Sequence, residues 1–206
     1  IEGLMSHLSS ADDLKDPLNK IQIKNFRKAL EICIKHGIYP KWVHLQNSDG
    51  TVNRVGEGNL ARVGLALYGI SADSHLKPIL AFKSKIIQIK KLQKEDRVGY
   101  SGTFTAKGPM VLGVLPLGYY DGVDRRLSNI GFVTVDRIPC KILGRISMNI
   151  TTVDLSNVEN PHVGQEVIIY SSNPEDPNSL AYAATFCKTI PYDLLVHLAP
   201  PTKRVL

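Results

Sequence analysis

The sequence predicts two regions of different class: an α/β segment over residues 1–76 and a mainly β, antiparallel segment over 77–206. Three observations predict this. Between Ile21 and His36 the apolar residues fall at helical spacing, and strand-like runs lie on either side. Beyond about Leu76, short β-branched runs follow at 80–92, 110–117, 131–136, 138–147, 150–154 and 166–171, punctuated by Gly, Pro, Asn and Asp. The composition, 43% hydrophobic and 21% charged over 206 residues, is ordinary for a globular protein and supplies a sizeable core.

Taken in order, Ser6–Asp13 reads as a strand end running into a polar loop. The helix expected over Ile21–His36 carries Phe26, Leu30 and Cys33 on one side and Lys24, Arg27, Lys28, Glu31 and Lys35 largely elsewhere, with Gly37 and Pro40 to stop it. Trp42–Ser48 reads as a short strand ending in a polar loop. Ala61–Ile70 alternates, with Val63, Leu65 and Leu67 on one side, and is expected to be a further strand. Strands alternating with a helix are the building block of parallel barrels. In the second region a helix is expected near Ser179–Cys187, and Pro191–Ala199 reads as helix or strand.

Charge and cysteines narrow the function classes. The net charge is +6, and the densest basic run is Lys83, Lys85, Lys90, Lys91, Lys94 and Arg97. Aromatics make up 7% of the chain and do not interleave with these lysines, so an edge-strand guard or an anionic small molecule fits better than nucleic acid. Cys33, Cys140 and Cys187 are odd in number and lack C-x-x-C spacing, so they read as buried thiols in a reducing cytoplasm. No apolar stretch approaches the roughly 20 residues of a membrane span. The opening Ile1-Glu2-Gly3 lacks an initiator methionine, and the chain is expected to be a piece of something longer.

Certain residues carry chemistry. Tyr100 follows Gly99 and precedes Ser101-Gly102, a context in which the backbone can aim a phenol out of a turn, where it can transfer a proton. Arg62 and Gly64 lie close together, and Ser48 ends an earlier strand. Amide groups beside a glycine and a strand-end hydroxyl suit a phosphate, which parallel barrels bind at that end. Each of these residues alone also fits a structural role.

Five segments together carry a resemblance: Leu60–Gly69, Val98–Thr103, Leu115–Gly122, Gly144–Asn149 and Thr189–Tyr192. In order and spacing they resemble the pyridoxal-phosphate-dependent alanine racemases, through essentially the whole chain. The resemblance implies the end of an N-terminal (β/α)8 barrel over 1–76 and the family's C-terminal β domain over 77–206. It implies interconversion of L- and D-alanine, supplying D-alanine for the bacterial cell wall in the cytoplasm. It further implies a homodimer with the active site at the interface and Tyr100 entering the partner's barrel. By the same resemblance Tyr100 is catalytic, His7 lies near the pyridine ring, and Arg62 sits beside the ring nitrogen. Ser48, Gly64, Leu65 and Tyr192 bind the cofactor phosphate; Tyr119 and Met148 meet the substrate, with Asp121 and Arg125 in the supporting shell.

The departures matter as much. No lysine here stands in the motif of the family lysine that anchors the cofactor, nor is there a counterpart of the arginine that holds the substrate carboxylate. The chain alone is therefore expected to be inactive and, with exposed strand edges, prone to associate. Asn149 stands where the family usually has aspartate, which leaves a backbone contact at Met148 intact. Two other readings stay open: a serine or broad-specificity racemase of the same fold, and a non-catalytic basic β binding domain.

Overall fold

A computed structural model describes residues 1–71 and 75–199. The chain divides into two compact units, Ile1–Pro78 and Ile79–Leu206.

The first unit opens with β1 (Gly3–Met5), α1 (Pro17–Lys35) and β2 (Trp42–His44). β1 and β2 pair in parallel, Gly3 opposite Trp42 and Met5 opposite His44, which makes a β-α-β unit. α1 begins a turn earlier than hydrophobic spacing predicts, because Asp16 and Pro17 start it: the Asp16 carboxylate accepts from Leu18 N at 2.8 Å, and proline occupies the first turn. Phe26 is buried against Leu8, Ala11 and Leu45, with Leu4, Ile23, Val43 and Val55 around them. Burial of one such side chain is worth roughly 1.5–3 kcal/mol.

Two expectations are corrected here. Residues 48–52 are not loop but one helical turn, α2 (Ser48–Val52), because the Asn47 side chain caps it by accepting from Gly50 N at 2.9 Å. Ala61–Ile70 is not a strand: Leu65–Tyr68 is a 3-10 turn. Leu67 N bonds Gly64 O at 3.0 Å and Ile70 N bonds Leu65 O at 3.0 Å, so these amides close a local turn and are not offered to a neighbouring strand. The unit holds one parallel strand pair, and no closed barrel forms among the described residues.

The second unit contains β3 (Phe82–Lys85), β4 (Gln88–Leu92), β5 (Arg97–Val98), β6 (Phe104–Thr105), β7 (Met110–Leu115), β8 (Phe132–Val135), β9 (Ile138–Lys141), β10 (Thr151–Asp154) and β11 (Glu166–Tyr170). They build a three-stranded sheet, β10-β7-β4, a four-stranded sheet, β3-β11-β8-β9, and a β5-β6 ribbon, every pair antiparallel. The β-branched run 80–92 serves both larger sheets. It breaks after β3, where Ile86 N bonds Gln165 O at 3.0 Å and Ile87 N bonds Val114 O at 2.9 Å, so the chain crosses from one sheet to the other. The run 138–147 ends as a strand at Lys141, and Gly144, at φ +73°, turns the chain away. β10 alternates as a one-sided strand should, with Thr151 and Val153 buried. Leu92, Val98, Ala106, Leu112, Val114 and Leu143 form a core cluster.

Two helices close the unit, α3 (Leu180–Cys187), capped by Ser179, and α4 (Pro191–Val196), which settles the tail as helix.

Candidate active site

In the first unit five of the expected site residues gather beyond the carboxyl ends of β1 and β2. Arg62 is half-buried and held by backbone and imidazole acceptors. Its Nη1 lies 2.7 Å from His44 Nδ1 and 3.2 Å from His44 O, and its Nη2 donates to Ser6 O at 2.7 Å. His7 Nδ1 lies 3.3 Å from the same Nη2, and His7 Nε2 lies 3.3 Å from the Asn47 amide. These contacts engage both terminal nitrogens, leaving Nε–H as the guanidinium donor without a partner among the described residues. Because His44 Nδ1 accepts from a guanidinium, which has donors only, its own proton sits on Nε2.

A few residues along the same loop, the buried Ser48 hydroxyl accepts from Gly64 N at 2.8 Å and stands 3.4 Å from Ala66 N. Leu65 opens the 3-10 turn that follows. A hydroxyl whose lone pair is taken by an amide turns its own proton outward, and amides at the start of a turn present donors to an anion. The donor set thus fits a phosphate, with a permanent positive charge nearby.

In the second unit Tyr100 stands on a 3-10 turn, Tyr100–Gly102, and is 67% exposed. Gly99 precedes it at φ +78° and ψ 175°, a conformation essentially restricted to glycine. A Cβ on Gly99 would lie 2.6 Å from Arg145 N, and one on Gly144 would lie 2.7 Å from Val98 O. The two glycines therefore let the backbone just before the tyrosine meet the backbone of residues 144 and 145 directly. Tyr100 borders a shallow depression with Gly99, Arg145, Ser147, Ile150 and Thr152.

Tyr119 and Met148 are brought together by backbone pairing, Tyr119 N to Ser147 O at 3.0 Å and Tyr120 N to Met148 O at 3.0 Å. The approach requires glycine at 118, where a Cβ would sit 2.0 Å from Ser147 O. Asp121 braces the turn by accepting from Gly118 N at 2.8 Å, and Arg125 opens the next 3-10 turn. Tyr192 lies in the first turn of α4, half-exposed. Arg126 reaches both Asp124 at 2.6 Å and Asp193 at 3.0 Å, which ties the segment after Tyr119 to the helix that bears Tyr192. Tyr192 thus belongs to the second unit, whereas Ser48, Gly64 and Leu65 belong to the first.

The sequence reading passed over three residues that the structure brings to these places: His44 and Asn47, which fix Arg62 and His7, and Arg145 beside Tyr100. His44 carries only an ordinary strand signal. Asn47 ahead of Ser48-Asp49-Gly50 is a recognisable helix cap.

A family model described as "Alanine racemase, N-terminal domain" matches residues 1–72, and one described as "Alanine racemase, C-terminal domain" matches residues 79–206. The chain is 36% identical to an alanine racemase of Aquifex aeolicus, covering 100% of this chain and 59% of that one. It is 33% identical to that of Borreliella burgdorferi, covering 99% and 56%. Among solved structures, alanine racemase from Streptomyces coelicolor A3(2) aligns with a TM-score of 0.93 at 29% identity, over 100% of this chain and 56% of that one. Alanine racemase from Bartonella henselae with covalently bound pyridoxal phosphate aligns with a TM-score of 0.86 at 28% identity, over 100% and 56%. The chain spans little more than half the length of these relatives. With both domain models matched in order, the chain belongs to the alanine racemase family.

Proposed function

We propose that the protein carrying this chain racemises alanine with pyridoxal phosphate, and that the cluster beyond β1 and β2 holds that cofactor. The observation that carries the reading is the convergence, between the end of β2 and the start of α2, of a fixed guanidinium, Arg62 with His44, and a hydroxyl–amide pair, Ser48 with Gly64. When bound, pyridoxal phosphate acidifies the α-proton of an amino acid by drawing electrons into its ring.

The chain's own residues then have defined tasks. Ser48, oriented by the Gly64 amide whose hydrogen bond it accepts, would donate its hydroxyl hydrogen to a phosphate oxygen, and Leu65 would offer its amide. Arg62 keeps its charge and has no proton to surrender, so a ring nitrogen held by it would remain an acceptor. His7 flanks the ring. Tyr100 holds or delivers the α-proton on one face of the substrate, while Tyr119 and the Met148 backbone border it. The opposite-face base and the covalent anchor belong, on this reading, to the part of the relatives outside the matched span.

Tyr100, Tyr119, Tyr120, Met148 and Ile150 are all substantially exposed in the second unit. An exposed proton-transfer group among exposed apolar neighbours suits an interface. The reading is therefore a homodimer in which Tyr100 serves the partner's cofactor, in the cytoplasm, supplying D-alanine for peptidoglycan. The test is conversion of L- to D-alanine by the intact polypeptide with added cofactor. Tyr100→Phe should lower kcat by roughly 10²–10⁴-fold. Equal turnover of serine would widen the substrate class, and an unaffected Tyr100→Phe enzyme would overturn the assignment.

A further inference from the structure

The loop that presents Tyr100 is poorly held by its own preferences. Gly99, Ser101 and Gly102 all adopt left-handed φ, at +78°, +60° and +53°. The two glycines take this conformation freely, but Ser101 pays roughly 1–2 kcal/mol for it, which contacts from outside the loop offset. Arg97 grips one side, donating to Ser101 O at 2.8 Å and standing 3.4 Å from Gly102 O. The other side is gripped from a distant turn. Asn129 Oδ1 accepts from Gly144 N at 2.6 Å, and Asn129 Nδ2 donates to Thr103 Oγ1 at 3.2 Å. Its neighbour Ser128 accepts from Ile146 N at 3.0 Å.

The structure assigns Asn129 as a positioning residue for Tyr100, one whose carboxamide fixes both segments that flank the tyrosine; this rests on the proton-transfer role read for Tyr100 above. Gly144 is buried, and its amide has to be paired to avoid the cost of an orphan donor. The Gly144–Arg145 backbone is the surface on which Gly99 rests, and Thr103 is the residue that ends the Tyr100 turn. One side chain therefore fixes the seat of the tyrosine and the exit of its loop. Asn129 itself is left-handed, at φ +64°, which asparagine tolerates well. Glycine would meet that backbone need equally but would bind neither segment, which separates the two roles experimentally.

In the intact polypeptide, Asn129→Gly should lower kcat roughly ten- to hundredfold, as expected for a misplaced reacting group, with KM changed by no more than about twofold. Amide exchange at Gly144, followed by mass spectrometry on the enzyme with and without cofactor, should quicken in both states. Asn129→Asp keeps the acceptor for Gly144 N and should restore most of kcat and the slow exchange. Wild-type kcat together with wild-type exchange in Asn129→Gly overturns the assignment. So does a fall in melting temperature with kcat unchanged, which marks a turn residue only. If Asn129→Gly does not fold, Asn129→Asp against Asn129→Leu at matched melting temperature decides the same question: equal kcat in the two overturns the assignment. A Tyr100→Phe enzyme of full activity would instead defeat the proton-transfer reading, whatever Gly144 exchange shows.

Discussion

Arg62 Nη1 lies 2.7 Å from His44 Nδ1, so a side chain whose charge cannot be removed is steered by an imidazole on β2. A hydrogen bond to a charged group is worth about 1.5–3 kcal/mol, and each 1.4 kcal/mol is tenfold in an equilibrium constant. His44→Ala should therefore weaken retention of pyridoxal phosphate by roughly tenfold or more, measured by absorbance titration of the intact polypeptide. His44→Asn, which can still accept from the guanidinium, should lose less. Equal affinity in all three would mean that His44 packs without steering Arg62.

Gly99→Ala tests the seat of Tyr100 directly. The new methyl would adopt a glycine-only conformation and press to 2.6 Å from Arg145 N, backbone that cannot swing away. The conformation alone costs of order 1–3 kcal/mol. Urea denaturation should show at least that loss, and activity should fall further than stability, because the displaced backbone carries the phenol with it.

What was legible in the sequence follows from where the signal is local. The α1 core face, the β-rich second unit and the helix near Ser179–Cys187 depend on periodicity and neighbouring residues, and they read correctly. Ala61–Ile70 misled because alternation is only a reason to form a strand if a partner strand is available; here the Leu67 and Ile70 amides close on carbonyls of the same segment. The break at Ile86–Ile87 was invisible for a related reason, since β-branched runs look the same whether one sheet or two receive them. Ser48 and Gly64 stand in a motif context, and the structure pairs them, Gly64 N to Ser48 Oγ at 2.8 Å. His44 and Asn129 could not be named in advance, because their partners are 18 and 15 residues away in sequence and their own surroundings carry no distinguishing pattern.

The Asp124–Arg126–Asp193 network predicts an acid limb to stability. Burial pushes the Asp124 carboxyl up, but hydrogen bonds from Arg126, side chain and backbone, prevail and hold it below its ordinary 3.8. A carboxyl held low in the fold binds fewer protons than in the unfolded chain. Its stabilisation is thus present above about pH 3.8 and is lost as pH falls through the lower folded value. Arg126→Met should be less stable than wild type at pH 5 to 6 by urea midpoint, and the gap should narrow below pH 3.8. A gap that stays constant with pH would assign Arg126 a packing role alone.

The three cysteines should differ sharply in reactivity, because thiolate rather than thiol is the nucleophile. Burial pushes Cys187 up to about 12 and Cys140 up to about 11, in each case helped by a nearby aspartate, Asp124 for Cys187 and Asp154 for Cys140. Both side chains are also shielded, at 3% and 2% relative exposure, whereas Cys33 on α1 is half-buried. With iodoacetamide at pH 8, mass spectrometry of the folded protein should find Cys33 alkylated first. Cys140 and Cys187 should label only as fast as the second unit opens, and should accelerate together in denaturant at the unfolding midpoint. Early labelling of Cys187 would show that the wall beside Asp124 opens locally, and the Asp124–Arg126 link to α4 could not then be a permanent tie.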